Sequence, residues 1–458
     1  MEFLSIIFFA VLCLCLMLGY PVALTLLGVS LGFAGAGNLL GIFDSAYIAL
    51  IPNRLYGIFT NQNLFAVPLF VFMGSMLEKS RIAEELLRNM AAVFRGLPGG
   101  LGVSVVVVGM LLAASTGIVG ATVVTMGMLS LPSLLKNGYK APLACGTICA
   151  TGTLGQIIPP SICLVLLGEV ISNSYQQAQL AQGIFAPDFV SIGDLFAGAL
   201  LPGLILVFAY GTYVFVMALF SETTIKSEST VSVTAGEGVW LTLLKGLLPP
   251  VLLIIAVLGS ILGGLATPTE AASVGALGAI VLALARGRLS VGVLHGVSIE
   301  TTRVTAMVYL ILVGATVFSA VFRGYGGDVL IEDVLNNLPG GVIGATLVVM
   351  LLIFLLGFIL DFVEITFMVV PLVGPILLAM GVDPIWLGVM IAINLQTSFL
   401  TPPFGFSLFY LRSVAPKGIA TTDIYRGVIP FIILQLLLML LLALQPAIAT
   451  WLPDLLAG

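Results

Sequence analysis

Two stretches of the sequence decide the fold: Ala150-Thr-Gly-Thr-Leu-Gly-Gln-Ile-Ile-Pro-Pro-Ser161 and Ile393-Asn-Leu-Gln-Thr-Ser-Phe-Leu-Thr-Pro-Pro-Phe-Gly405. Each stretch places small and polar residues beside two consecutive prolines within an otherwise apolar segment. Two prolines remove two backbone amide donors and disfavour a helical conformation in the residue before them. We therefore predict that a helix breaks at each proline pair. Backbone freed in this way is tolerated in lipid only where it faces protein or lines a cavity.

The composition predicts a membrane protein. Of the 458 residues, 60% are hydrophobic and only 8% are charged, whereas a soluble domain is about 25% charged. Apolar runs long enough to span a bilayer recur along the chain. We expect an all-α polytopic membrane protein in which two broken crossings accompany unbroken spans near 3–20, 22–42, 64–78, 195–220, 244–262, 268–286, 303–322 and 428–450.

An internal repeat relates the two halves. The motif Leu97-Pro-Gly-Gly100 recurs at Leu338-Pro-Gly-Gly341, 241 residues later, and the proline pair recurs after 243 residues. The nearly constant offset predicts two copies of one structural unit. A polar stretch at 172–191 is the apparent insertion in the first copy.

The basic residues predict that the two copies have opposite orientations. Lys and Arg collect in cytoplasmic loops. In the first half they precede the Leu-Pro-Gly-Gly motif, as Lys79, Arg81, Arg88 and Arg95. In the second half they follow the proline pair, as Arg412, Lys417 and Arg426. The sequence therefore predicts an inverted repeat, with both termini outside. In each copy we expect a re-entrant hairpin (98–135, 340–381), a broken crossing (141–170, 384–411) and a surface arm (78–94, 328–338).

The breaks offer chemistry suited to cation-coupled transport. Carbonyl and hydroxyl oxygens at Thr153, Gly155, Thr397 and Ser398 would form a hard oxygen shell for sodium. A new helix N-terminus carries about half a positive charge and suits a carboxylate. Proline at the first helical position, with Thr401 as a cap, fits such a start. We assign substrate binding to residues at or beside the breaks: Gln156, Pro159, Pro160, Ser161, Asn394, Pro402 and Pro403.

The hairpins supply further walls of the site. Ser115, Thr116 and Gly117 lie in the middle of the first hairpin, and Asp361 and Glu364 lie deep in the apolar second hairpin. A charge at the bilayer centre costs at least about 2.5–3.5 kcal/mol, so we expect either a cation ligand or a buried polar pair. We favour Asp361 as a sodium ligand and leave Glu364 open.

Other residues have ordinary structural explanations. Thr267-Pro-Thr-Glu270 fits a helix capping box, and Arg323 either meets an anionic solute or extends to the interface from a span end. The five cysteines fit packing, and His295 is the single histidine, which disfavours histidine-based catalysis. No nucleic-acid-binding stripe and no Walker-type motif occurs, so we expect a secondary active transporter rather than an enzyme.

Several motifs in this order resemble the large membrane subunit of TRAP (tripartite ATP-independent periplasmic) transporters. They are Pro68-Leu-Phe-Val-Phe-Met-Gly74, Ala113-Ala-Ser-Thr-Gly-Ile-Val-Gly120, Gly152-Thr-Leu-Gly-Gln-Ile-Ile-Pro-Pro-Ser161, Gly193-Asp-Leu-Phe-Ala-Gly198, Thr267-Pro-Thr-Glu-Ala-Ala272 and Leu400-Thr-Pro-Pro-Phe-Gly405. The resemblance implies a sodium-driven, elevator-type importer of organic acids in the bacterial inner membrane. It also implies a periplasmic binding protein and a small four-helix membrane subunit as partners.

The resemblance implies sodium ligands around Ser115–Gly117 and Thr153–Gly155, with Asp361 and Thr397–Thr401 on the other side. It further implies a mobile transport domain at 98–170 and 340–411, and a scaffold at 1–97, 171–339 and 412–458. The alternatives are a stand-alone sodium/dicarboxylate symporter or antiporter, an intramembrane enzyme, and a channel. An enzyme would need paired acid–base groups, of which the sequence offers only Asp361 and Glu364.

Overall fold

The computed structural model describes residues 2–80, 82–94, 99–220 and 239–457, and within these ranges it contains helices and no β-strand. The predicted all-α class is confirmed. The helices of the first 220 residues are α1 Glu2–Met17, α2 Val22–Leu39, α3 Ala46–Ala49, α4 Ile51–Phe59, α5 Ala66–Lys79, α6 Ile82–Val93, α7 Gly100–Thr116, α8 Val119–Lys136, α9 Ala141–Thr153, α10 Ile162–Ala181 and α11 Ile192–Leu219. Those that follow are α12 Val239–Leu262, α13 Pro268–Ala285, α14 Val291–Gly324, α15 Gly327–Asn336, α16 Gly341–Leu356, α17 Phe362–Met368, α18 Val370–Ala379, α19 Pro384–Leu400, α20 Phe406–Val414, α21 Thr421–Leu444 and α22 Ala447–Ala457.

The chain divides into two compact units. The first unit comprises Met1–Phe65, Leu166–Ser191 and Thr302–Ile391. The second comprises Ala66–Val165, Ile192–Thr301 and Ala392–Gly458. These bounds cut through both segments of the predicted transport domain, so the assignment of transport domain and scaffold stays a prediction.

The long helices are those of a multi-pass membrane protein. Within the described ranges, α2, α8, α11, α13, α14 and α21 are each long and apolar enough to cross a bilayer. Two bent pairs of helices also qualify, one from Ala46 to Lys79 and one from Phe362 to Ala379. The predicted spans near 22–42, 195–220 and 268–286 thus correspond to α2, α11 and α13.

The structure differs from the predicted spans in three places. Helix α10 continues to Ala181, because no glycine or proline interrupts 169–182, so most of the polar stretch at 172–191 is helical. Helix α14 has 34 residues, well beyond the predicted span at 303–322. The predicted span at 428–450 is broken, since α21 ends at Leu444 just before Pro446 and α22 begins after it.

The first predicted hairpin consists of α7 and α8, which are joined by Gly117 and Ile118. Both helices pack against α9. Small residues allow this close approach: a Cβ on Gly109 would lie 2.7 Å from Thr151, and one on Gly152 would lie 2.2 Å from Val123. In the first unit, α16, α17 and α18 form the second hairpin, and α17 and α18 meet at a bend of 56°.

Both predicted arms are helical, as α6 and α15. Residues 81 and 95–98, which include the first Leu-Pro of the repeated motif and the predicted domain bound at 97–98, lie outside the described residues.

Helices α9 and α21 touch backbone to backbone in the second unit. A Cβ on Gly146 would lie 2.0 Å from the carbonyl oxygen of Gly427, and one on Gly427 would lie 2.0 Å from that of Pro142. Glycine at both positions is therefore required for this crossing.

The predicted capping box at the start of α13 is confirmed. The backbone N–H of Glu270 donates to Thr267 Oγ1 over 3.3 Å, and the backbone N–H of Thr267 donates to Glu270 Oε2 over 2.8 Å. Two otherwise unpaired amide groups are satisfied in this way, which gives Glu270 a structural role.

We expect Glu270→Ala to lower the free energy of unfolding, because the N–H and the hydroxyl of Thr267 both lose the bond that they donate to the Glu270 carboxylate. Glu270→Gln is the control, since glutamine also serves at this capping position. Thermal unfolding of the detergent-solubilised protein measures both. Equal destabilisation by the two substitutions would contradict a capping role.

Candidate functional site

Both predicted helix breaks are present. Helix α9 ends at Thr153, a single 3₁₀ turn follows over Leu154–Gln156, and α10 begins only at Ile162. Helix α19 ends at Leu400, and α20 begins at Phe406. The Pro159-Pro160 and Pro402-Pro403 peptide bonds are both cis.

A serine hydroxyl closes each break. Ser161 Oγ donates to the carbonyl oxygen of Gly155 over 2.7 Å, and Ser407 Oγ donates to that of Phe399 over 2.9 Å. Each hydroxyl thus supplies a donor to a carbonyl left over from the preceding helical turn. The loops are held by side chains where the proline rings have removed backbone donors.

The expectation that Thr401 caps the second half-helix, with proline at its first position, is wrong. Helix α20 begins at Phe406 after Gly405, which caps it without a side-chain hydrogen bond. Thr401 Oγ1 instead donates back to the carbonyl oxygen of Thr397 over 2.7 Å. Residues 401–405 form the loop between α19 and α20, so the second half-helix begins past the prolines.

Several of the carbonyl groups predicted as sodium ligands already accept a hydrogen bond. The carbonyl oxygens of Gly155, Thr397 and Ser398 each accept one hydrogen bond, from Ser161 Oγ, Thr401 Oγ1 and Thr401 N–H. A carbonyl oxygen has two lone pairs, so each of the three keeps one acceptor site.

The tip of the first hairpin lies against the first break. Gly117 ends α7 in the left-handed conformation, with φ of +61°, and a Cβ there would lie 2.9 Å from the Ile162 side chain. A Cβ on Gly155 would lie 3.1 Å from the carbonyl oxygen of Ala113. The structure therefore brings together Ser115–Gly117 and Thr153–Gly155, as predicted.

The two broken crossings meet in the same unit. Gln396 Nε2 donates to Thr153 Oγ1 over 3.2 Å, and both residues are fully buried. A second link joins Cys149 Sγ to the carbonyl oxygen of Ser407 over 3.7 Å. Gln396 was not among the predicted site residues, although it lies 243 residues after Thr153, the offset that also relates the two proline pairs.

The hydroxyls of the proposed sodium ligands that the structure describes share one arrangement. Each donates its proton to a backbone carbonyl three or four residues earlier in the chain, which leaves the oxygen lone pairs as acceptors. This holds for Ser115 (2.9 Å), Thr153 (2.8 Å), Thr397 (2.8 Å), Ser398 (2.8 Å) and Thr401 (2.7 Å). Oxygen atoms in this state suit a hard cation. The side chain of Thr116 lies outside the described residues.

Two buried amide side chains beside the breaks retain unsatisfied polar atoms. Gln156 is fully buried, and neither of its amide atoms has a hydrogen-bond partner among the described residues. Gln396 Oε1 is in the same state. A buried unsatisfied polar group costs about 1–3 kcal/mol, so these atoms are open to a hydrogen bond from a ligand. Asn394, Ser161 and Pro159-Pro160 are buried nearby in sequence, whereas Pro403 is exposed.

Asp361 and Glu364 belong to the first unit, where they form a capping box at the start of α17. The Asp361 carboxylate accepts from the Phe362 N–H over 2.6 Å, and Glu364 Oε2 accepts from the Asp361 N–H over 2.8 Å. Both acids therefore have a structural role. The role of Asp361 as a sodium ligand stays a prediction.

The fold of the chain is shared with solved membrane transporters. It is similar to the YdaH transporter of Alcanivorax borkumensis, with a TM-score of 0.63, 15% identity and coverage of 98% of both chains. It is also similar to MtrF of Neisseria gonorrhoeae, with a TM-score of 0.60, 14% identity and coverage of 92% of this chain and 85% of that one. The many apolar helices and this shared fold define a multi-pass membrane protein.

The family follows from the sequence comparison. The family described as "Tripartite ATP-independent periplasmic transporter, DctM component" matches residues 9–448, and the chain belongs to it. Relatives include the C4-dicarboxylate TRAP transporter large permease protein DctM of Vibrio cholerae (28% identity, 97% of this chain and 96% of the relative). Others are its sialic acid counterpart SiaM (28%, 96% and 96%) and the ectoine/5-hydroxyectoine protein UehC of Ruegeria pomeroyi (26%, 96% and 96%). The predicted family is confirmed, and the protein is a transporter component rather than an enzyme.

We expect Gly117→Ala to destabilise the hairpin tip by about 1–3 kcal/mol, because alanine is strained at positive φ and its Cβ would press on Ile162. Thermal unfolding with and without sodium measures the effect. Gly138→Ala is the matched control: its φ is +83°, and a Cβ there would meet nothing within 4 Å. Equal loss of stability and of sodium response in both variants would show that the tip contact has no role.

Proposed function

We propose that this chain is the large membrane subunit of a sodium-driven importer of organic acids in the bacterial inner membrane. The observation that carries the proposal is the meeting of two broken helices, joined by Gln396 and Thr153, beside the tip of a hairpin. Discontinuous helices at matched positions of two repeats are where secondary transporters bind solute and ion.

Sodium is the coupling ion that best fits the donor groups. The hydroxyls of Ser115, Thr153 and Thr397 each donate a hydrogen bond to a backbone carbonyl. Only their oxygen lone pairs therefore remain to face a cation. In the first unit we assign sodium binding to Asp361. In the second unit we assign it to the predicted residues Ser115, Thr116, Gly117, Thr153, Gly155, Thr397, Ser398 and Thr401. Gln396 Oε1 joins this set because it is a buried oxygen without a donor among the described residues.

A carboxylate is the solute group shared by the names of several relatives, since C4-dicarboxylates, sialic acids and ectoine all carry one. Isethionate, in the name of another relative, carries a sulfonate instead. We assign its binding to Gln156, Ser161, Asn394 and the two proline pairs, where the unsatisfied amide of Gln156 offers donors. Import of a dianion against an inside-negative potential costs about 2.3 kcal/mol per charge per 100 mV. At least two cations must therefore accompany it.

The proposed mechanism is alternating access by an elevator, in which an inverted repeat supplies two hairpins and two broken crossings. Both halves have the same order of hairpin, broken crossing and closing serine, which supports the repeat. A periplasmic binding protein would deliver the solute, and a small four-helix membrane subunit would complete the translocator. A stand-alone symporter is the alternative.

Reconstitution in proteoliposomes tests the function. We expect uptake of a carboxylate only with an inward sodium gradient, and only with the cognate binding protein and small subunit. Uptake by this chain alone would favour the stand-alone symporter, and uptake that ignores the sodium gradient would refute sodium coupling.

We expect Asp361→Asn to weaken the sodium dependence of uptake without lowering stability. Asparagine caps a helix about as well as aspartate does, so the substitution removes charge and keeps the cap. Asp361→Ala should weaken the sodium dependence of uptake and also lower the stability, because alanine keeps neither the charge nor the cap. A sodium titration of uptake and thermal unfolding separate the two effects.

Asp383→Asn provides the control for this experiment, because Asp383 also accepts an N-terminal amide, from Trp386 over 2.7 Å, and is exposed. Asp383→Asn should change neither the sodium dependence of uptake nor the thermal stability. An unchanged sodium titration in Asp361→Asn would remove Asp361 from the sodium site.

We expect a disulfide between Ser115→Cys and Leu77→Cys to stop uptake reversibly. Both residues line one small cavity of the second unit, and an elevator must separate the hairpin from the predicted scaffold helix α5. Uptake before and after oxidation, and again after reduction, measures this in a variant without the native cysteines. The control disulfide joins Leu253→Cys and Gly278→Cys of α12 and α13, both predicted scaffold, and should leave uptake unchanged. Normal uptake with the first disulfide intact would refute the elevator.

A further inference from the structure

The first unit contains a cavity that neither the sodium site nor the helix breaks include. Its volume is about 480 Å³, within the usual range of ligand pockets. Segments from α4, α10 and α14 line it, together with Phe367 and Pro371 of the second hairpin. All lining residues belong to the first unit.

Two arginines line this cavity without a counter-ion. Among the described residues, no carboxylate lies within ion-pairing distance of Arg54 or Arg323. The Arg323 guanidinium donates to Gln177 Oε1 over 3.4 Å, and its Nε is buried without a partner among those residues. The charge of Arg323 also acts on Arg54, so the two cations repel each other.

The single acid of the lining residues is already engaged. The Glu169 carboxylate accepts from the side-chain amides of Asn61 (2.6 Å), Asn173 (3.0 Å) and Asn63 (3.0 Å). Three neutral donors thus satisfy it, and neither arginine contacts it. The cavity keeps an excess positive charge with unused guanidinium donors.

The predicted topology places this charge on the unexpected side of the membrane. Arg54, Glu169 and Arg323 all fall at the external ends of the predicted spans, whereas Arg and Lys normally collect on the cytoplasmic side. Two arginines at external positions, with no counter-ion in the part of the chain that the structure describes, are therefore not explained by the orientation of the chain.

We propose that this cavity is an external vestibule that binds the carboxylate of the incoming solute through Arg54 and Arg323. The inference rests on the proposed function, since it supplies the entry point for the same organic acid. Guanidinium groups bind carboxylates through paired N–H donors, and an anion would relieve the repulsion between the two cations. The positive potential of the cavity would also speed capture of an anion from the external side.

Binding to purified protein in detergent, without any ion gradient, tests the vestibule. The probes are succinate, N-acetylneuraminate and ectoine, with succinamide as a neutral analogue of succinate. We expect at least one carboxylate to bind and raise the thermal unfolding temperature, and succinamide to do neither. A wild-type protein that none of the three carboxylates stabilises would overturn the proposal.

The variants locate the binding. Arg54→Gln and Arg323→Gln should each weaken carboxylate binding about 10- to 100-fold, the loss of one charge-assisted hydrogen bond. Arg54→Lys and Arg323→Lys should keep part of the affinity, because they keep the charge but not the fork of donors. Unfolding temperatures without ligand verify that each variant is folded.

Two matched variants complete the test. Arg303→Gln removes an exposed arginine of α14 outside the cavity and should bind as the wild type does. Glu169→Gln removes the acid of the cavity and should bind the anion at least as tightly. Wild-type affinity in both Arg→Gln cavity variants, or equal weakening in Glu169→Gln, would overturn the vestibule.

Uptake by the wild type keeps this inference separate from the proposed function. Arginine-dependent binding without sodium-driven uptake would support the vestibule and refute the proposed function. Sodium-driven uptake that survives unchanged in Arg54→Gln and Arg323→Gln would refute the vestibule alone.

Discussion

The structure depends on how the chain pairs backbone polar groups at two interruptions within apolar surroundings. A proline pair removes two N–H donors, and the carbonyls before it must then find other partners or become ligand sites. Ser161 and Ser407 each donate to one such carbonyl, and Thr401 donates to another. The remaining lone pairs are what the site offers to a cation. Structural pairing and ion binding therefore draw on the same set of oxygen atoms.

Features dictated by local covalent chemistry could be predicted from the sequence. The helix breaks follow from proline, the hairpin turn from Gly117, and the start of α13 from Thr267 and Glu270, and each is where it was expected. Hydropathy identified most of the long helices because bilayer thickness fixes the length of an apolar run. The family could be predicted because its motifs contain these local signals in a fixed order along the chain.

Features that depend on distant parts of the chain could not be predicted. Thr401 lacks a capping role because the loop after α19 turns for several more residues before α20 begins. The bond from Gln396 to Thr153 joins residues far apart in sequence, and only the common repeat offset hinted at it. The sequence favoured Asp361 as a sodium ligand, yet its capping bonds show that local geometry can also explain an acid in an apolar hairpin.

The glycine crossing of α9 and α21 has a consequence for any large motion of the protein. Gly146 and Gly427 bring the two backbones together with no side chains between them. Without side chains at the contact, the two helices cannot slide past each other by small side-chain rearrangements. If the protein works as an elevator, helix α21 would move as one rigid body with α9 and the first hairpin. Helix α21 lies in the segment 412–458 that the sequence predicts as scaffold, and it would then belong to the transport domain instead.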